Sequence, residues 1–187
     1  MIDKIFGKNY YSLRFKMSGE RGNFMNLHVN TRQAPEPGLY SQGVLVTEGA
    51  TGVRFLFLSG QTGNIPGVGG EPVVAGGTGP QTKQALKNLL EVVKLAYGYN
   101  DENPAKFFVA LDVFLKDPGT AGARTVQRNS FNIAYQEFFE ANGVRRDRFP
   151  ARTMIWVSEV QLEFPIEETE VEIKGIAAVP IKQQQFF

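Results

Sequence analysis

Six stretches of the chain alternate apolar and polar residues with the two-residue period of a β-strand. The first is Phe24–Thr31 (FMNLHVNT); 42–47 and 53–59 then read as a strand pair around a glycine-containing turn at 48–52. Lys106–Lys116 is the most apolar. Its alternation places Phe107, Val109, Leu111, Val113 and Leu115 on one face and Phe108, Ala110, Asp112 and Phe114 on the other, so it predicts a strand buried mostly on both sides. Thr153–Val160 and Glu170–Val179 complete the set. Two stretches switch to a helical period. Over Pro80–Tyr97, Leu86, Leu89, Val93, Ala96 and Tyr97 share a face, with Thr78 or Gly79 as cap, Pro80 in the first turn and Gly98 as stop. Over Ser130–Asn142, Phe131, Tyr135 and Phe138 share a face, widened by Ile133, Ala134 and Phe139, and Gly143 ends the helix.

The order β, β, β, α, β, α, β, β predicts an α+β fold: a single mixed β-sheet with both helices packed on one face. On the last strand, Val171, Ile173 and Ala177 point one way and Glu172, Lys174 and Ile176 the other. One set must meet the helices. The second face therefore mixes charged and apolar residues, which suits burial between subunits around polar pockets. Between the elements lie loops at 33–38, at the glycine-rich stretch 60–79 and at Asp117–Gly122, and a charged link at 145–150. The glycine-rich stretch carries neither GxxxxGK[ST] nor GxGxxG, so it is read as a pocket loop and not as a phosphate cradle. Residues 1–23 form an N-terminal extension in which Tyr10, Tyr11, Leu13 and Phe15 either hang loosely or pack on a neighbour. Residues 24–182 form one domain, and 183–187 a short tail.

Composition narrows the chemistry. The 187 residues are 42% hydrophobic and 21% charged, as expected of a globular domain with a core. A net charge of +1 gives no electrostatic case for nucleic acid and no polybasic face for a membrane. With no cysteine, thiolate catalysis and cysteine zinc sites are excluded, and the composition fits a reducing compartment such as the cytoplasm. With His28 as the single histidine, no histidine cluster can form within one chain, and His28 itself reads as a satisfied structural group. No apolar run approaches the roughly 20 residues of a membrane span.

Five segments stand out together: Ala34–Gly43 (APEPGLYSQG), Leu58–Gln61 (LSGQ), Phe131–Phe139 (FNIAYQEFF), Phe149–Thr153 (FPART) and Val171–Ala177 (VEIKGIA). In this order and spacing, from about residue 26 to 180, they resemble the Rid family, YjgF-type reactive intermediate deaminases also catalogued as endoribonuclease L-PSP or translation inhibitors. The resemblance implies a chorismate-mutase-like subunit in a homotrimer with one pocket at each subunit interface. It implies a cofactor-free, metal-free 2-iminobutanoate/2-iminopropanoate-type deaminase, converting enamine or imine acids such as 2-aminoacrylate to 2-oxo acids and ammonia. Arg152 would grip the substrate carboxylate through its planar fork. Glu172 would orient or deprotonate the attacking water and return the proton to the leaving amine. Tyr40 would close over the pocket, Ser59 and Asn132 would line it, and Gly60 would lend a backbone N–H. Met154 stands two residues beyond Arg152, where many members carry a small residue or cysteine, so the pocket is reshaped and the substrate need not be the small one; an aminomuconate-like specialised substrate is one alternative. Lys174 stands where another acid is common, and the loops 60–79 and 117–128 are longer than usual. A second class of function is a trimeric, non-catalytic sensor of small carboxylates. A ribonuclease would need the basic face and histidine pair that this chain lacks.

Overall fold

The computed structural model describes residues 12–16, 24–35, 40–48, 53–67, 72–97, 103–158 and 169–180. Seven strands form one mixed sheet: β1 (Ser12–Lys16), β2 (Phe24–Asn30), β3 (Gly43–Glu48), β4 (Val53–Thr62), β5 (Phe108–Lys116), β6 (Ala151–Val157) and β7 (Val171–Pro180). Their spatial order is β1-β2-β3-β4-β7-β5-β6. The ladders are antiparallel except β5–β6, which is parallel and joined by a helical crossover. The helices are α1 (Thr78–Tyr97) and α2 (Ala121–Ala141), with single 3₁₀ turns at Pro104–Phe107 and Arg146–Arg148.

Strand parity decides what faces the helices. Leu45, Leu56, Leu58, Leu111, Val113, Leu115, Val171, Ile173, Ala177 and Val179 are all buried. They meet Leu86, Leu89, Val92 and Val93 of α1 and Phe131 and Phe139 of α2. Each such side chain contributes about 1.5–3 kcal/mol by leaving water. At Gly175, β7 passes so close to β5 that a Cβ would lie 2.4 Å from the Ala110 carbonyl oxygen. The Glu172 and Lys174 face of β7 is turned away from the helices, as its alternation predicts.

Four sequence expectations are corrected. Ser12–Lys16, placed in the extension, pairs antiparallel with β2 as an edge strand; Tyr10, Tyr11 and the C-terminal tail lie outside the described residues, as do the 48–52 turn's centre and Gly98. The glycine-rich stretch is regular at both ends, because β4 runs through Gly60 to Thr62 and α1 begins at Thr78. In β5 a register shift between Phe108 and Ala110 breaks the alternation, so Phe108 is buried and Val109 is 46% exposed. Finally, α2 starts nine residues before Ser130, at Ala121, where the Thr120 hydroxyl caps the Ala123 N–H at 3.2 Å.

Candidate active site

Two groups of candidate residues form, on opposite faces of the sheet. The first gathers around a bulge in β4. Leu58 pairs with Gly175 of β7, but the next pair is Gln61 with Ile173, so Ser59 and Gly60 bow out of the ladder. The carboxylate of Glu172 fills the space this leaves. A Cβ on Gly60 would stand 1.8 Å from Glu172 Oε1, so only glycine admits the carboxylate there. The carboxylate makes no hydrogen bond or ion pair among the described residues. Burial raises its pKa above the ordinary glutamate value, against the opposing charge of Lys174, whose Nζ lies 5.2 Å from the centre of the Phe114 ring.

Beside the bulge, the Ser59 hydroxyl donates to the Ser41 carbonyl at 2.6 Å, and the Ser59 N–H donates to the Gln42 carbonyl at 2.9 Å. The loop that carries Tyr40 is thus tied to the strand that carries Ser59. Gln42, wholly buried, fixes the rest of it. Its side-chain amide donates to the carbonyls of Thr31, Ala34 and Pro35 at 3.0, 3.2 and 2.6 Å and accepts from the Thr31 N–H. Tyr40 itself is 53% exposed, directly before Ser41.

The second group stands at the outer edge of the sheet, on the helix side of β6. The Arg152 guanidinium lies over two rings of α2, 5.1 Å from the centre of Phe131 and 4.8 Å from that of Tyr135. Tyr135 is held by a hydrogen bond from its hydroxyl to the Pro150 carbonyl at 3.2 Å. Burial pushes its pKa up to about 12, so it stays neutral despite the cation beside it. The Arg152 guanidinium makes no ion pair or hydrogen bond among the described residues, and the two rings hold its donor fork in place. Met154, two residues on, packs partly into the core on the same side. Asn132, next to Phe131 on α2, has a buried Oδ1 with no partner among the described residues.

Register separates the groups. Leu111 of β5 faces Arg152 on one side and Gly175 on the other, whereas Glu172 faces Phe114. Arg152 and Glu172 are therefore two strands apart, about 10 Å sideways, three residues apart along β5, and directed to opposite faces. One chain brings Glu172, Gly60 and Ser59 together beside the Tyr40 loop, and brings Arg152 to the helix that carries Asn132. It does not bring the two groups together. The aromatic platform was missed as a functional element: the sequence shows Phe131 and Tyr135 as core residues only, and their shared helical face was the one available signal. Among the described residues, no three His, Cys, Asp or Glu side chains gather as a metal site, and no helix is long and apolar enough to cross a membrane.

Comparison with known proteins agrees with this architecture. A family model described as Endoribonuclease L-PSP matches residues 31–179. Human 2-iminobutanoate/2-iminopropanoate deaminase is 34% identical over 148 residues, covering 79% of this chain and 89% of that protein. A RutC family protein of Sulfurisphaera tokodaii is 35% identical over 148 residues, covering 79% of this chain and 98% of its own. The crystal structure of the YjgF gene product of E. coli superposes with a TM-score of 0.58 at 26% identity, covering 80% of this chain and 96% of that one. With the family match spanning most of the sheet and both helices, the chain belongs to the endoribonuclease L-PSP family, the YjgF or Rid family of its relatives.

Proposed function

We propose that this protein hydrolyses 2-imino acids, and enamines that tautomerise to them, to 2-oxo acids and ammonia, in pockets completed between copies of the chain in a homotrimer. The observation that carries the reading is Glu172: a carboxylate without a hydrogen-bonding or ionic partner among the described residues, its pKa raised by burial, seated in a bulge that only glycine permits. A general base for water needs such a poise, ionised yet not quenched by a cation. The names of the curated relatives supply the reaction class.

The chemistry follows from the groups. The Arg152 fork, stiffened by its two rings, takes the substrate carboxylate bidentately and sets the plane of the adjacent C=N. Glu172 accepts a proton as water adds to the C=N carbon. That proton returns to nitrogen to give the carbinolamine; Glu172 then takes the adduct's hydroxyl proton and passes it to the amine, the C–N bond breaks, and ammonia leaves as the C=O forms. No electrons change hands, so the reaction needs no redox partner.

A pocket that uses both Arg152 and Glu172 must draw them from different copies, because one chain directs them to opposite faces. On the helix-free face Phe55 and Phe57 are each 49% exposed and Ile155 is 43% exposed, apolar area that a second subunit would cover. Contacts between unlike patches close into a ring, and three copies give three equivalent pockets.

The test is release of ammonia and 2-oxo acid from 2-imino acids made in situ by an amino-acid oxidase, across small, aliphatic and aromatic substrates. Arg152→Ala is expected to lower kcat/KM by about 100-fold or more, since it removes a charge-assisted grip; no release above buffer by the folded wild type sinks the reading. A second variant reports on the bulge. Gly60→Ala pushes the Glu172 carboxylate aside, and a displacement of about 1 Å is expected to lower kcat about 100-fold. Because the displaced atoms are the far end of a flexible side chain, the melting temperature should hardly move. A Gly60→Ala enzyme with wild-type turnover would remove Glu172's present seat from the mechanism.

A further inference from the structure

His28 remains outside the chemistry above, yet its contact leads into the site. It lies on β2 between Leu27 and Val29, which turn toward the core, so its ring faces the same side of the sheet as Ser59 and Glu172. Its Nδ1 is 2.7 Å from the Ser41 hydroxyl, thirteen residues away across the loop. Ser41 is a junction. Its carbonyl receives the Ser59 hydroxyl, its backbone continues into Tyr40, and its own hydroxyl is held by His28. Gln42 anchors itself independently: its backbone N–H donates to Asn30 Oδ1 at 2.8 Å, and its side chain reaches the loop carbonyls. Among the described residues the Ser41 side chain is therefore tied by the imidazole, one residue from Tyr40 and one hydrogen bond from Ser59.

We infer that the His28–Ser41 pair is a latch that sets the Tyr40 loop and the Ser59 hydroxyl for substrate, which makes His28 a positioning residue of the site. The inference rests on the proposed deaminase reading. Its physical content is entropic. Without the imidazole the Ser59 hydroxyl still holds the Ser41 carbonyl, but the Ser41 side chain loses its tie to β2, and substrate capture must then supply more of the order at this end of the loop. The latch supplies that order before binding. It touches neither the Glu172 carboxylate nor Arg152, so its loss should weaken capture and leave the proton transfers alone.

The experiment is steady-state kinetics with the imine substrate on His28→Phe, Ser41→Ala, the double variant and His28→Asn. Each latch-breaking single variant is expected to raise KM about tenfold while kcat stays within about twofold. The double variant should be no worse than either single one, because both break the same contact. His28→Asn, which can offer a planar polar group near the position of Nδ1, should recover most of the wild-type KM. A merely structural histidine would not give this split or this rescue. Unchanged KM, multiplying effects, or a fall in kcat alone would overturn the latch. Should His28→Phe fail to fold, Ser41→Ala carries the same comparison, since it removes a single oxygen. A wild type without turnover would instead sink the deaminase reading; the latch is then read by calorimetry with 2-oxobutanoate. A tenfold weaker Kd in Ser41→Ala would support it, and equal affinity, or no binding by wild type, would overturn it.

Discussion

Glu172→Gln is expected to lower kcat by about two to four orders of magnitude, the usual contribution of a positioned general base, while the affinity for a 2-oxo acid product is retained. The amide is isosteric, still fits over Gly60 and cannot accept the proton of water. Turnover and binding therefore separate cleanly. A variant that keeps its turnover would point to a sensor or to another base, and one that loses binding as well would show that the carboxylate holds the loop together. The pH dependence has a definite sign. Burial raises the pKa of Glu172, so the base appears only as pH climbs past a point above the ordinary glutamate value of 4.5. The acid limb of kcat/KM should lie correspondingly high, and it should vanish in Glu172→Gln. Stability carries the same signature. Over the window between the unfolded and the folded pKa the native state binds more protons, so stability falls as pH rises through the folded pKa. The glutamine variant should lack that slope, and melting curves taken across the acid range would read it.

Phe139→Ala is expected to destabilise the protein by about 3–5 kcal/mol. The ring is fully buried at the centre of an aromatic cluster: Phe108 at 6.0 Å, Tyr135 at 4.8 Å, Phe138 at 5.3 Å and Phe149 at 5.3 Å between ring centres. At about 2–4 °C per kcal/mol for a chain of this size, the melting temperature should fall by roughly 10 °C. A second effect accompanies the first. Tyr135 leans on Phe139 from one side and supports Arg152 on the other, so the guanidinium should lose its platform in the variant that still folds. A rise in KM at temperatures well below the melting point would report this; a purely global loss of stability would leave KM alone.

The sequence reveals α1 almost completely, because its apolar stripe coincides with the buried face of Leu86, Leu89 and Val93. It hides the first half of α2 for a matching physical reason. Between Ala121 and Arg128 the one buried residue is Gln127, and Val126, the large apolar side chain there, is 71% exposed. Gln127 is buried because it links the Lys116 carbonyl to the Trp156 ring N–H, at 2.9 Å each. No hydrophobic period can announce a helix turn held by such a bridge. The flip of Val109 is similarly illegible, since it depends on a bulge against β7 and not on β5 itself. In the site, the family resemblance picks out Glu172, Gly60 and Arg152 as residues, and the alternation of β7 gives the face of Glu172, but nothing in the sequence gives the face of Arg152. The parity of Arg152 depends on β6 lying beside β5 in parallel register, and only the assembled sheet gives that.

The place of β7 bears on how the protein is made. It is the last of the described strands, yet it lies between β4 and β5 in the sheet. A growing polypeptide therefore carries two separate half-sheets, β1–β4 and β5–β6, each with a raw edge awaiting the same strand. Residues 171–180 close both edges in one step, late and over long chain separations, which is slow and leaves sticky edges open meanwhile. A chain interrupted before residue 171 would not be a shorter version of this fold; it would be two unpaired sheet fragments prone to aggregate. The same late strand brings Glu172, so the sheet closes and the candidate base arrives in a single event, and an incompletely made chain exposes no half-working site to the cell.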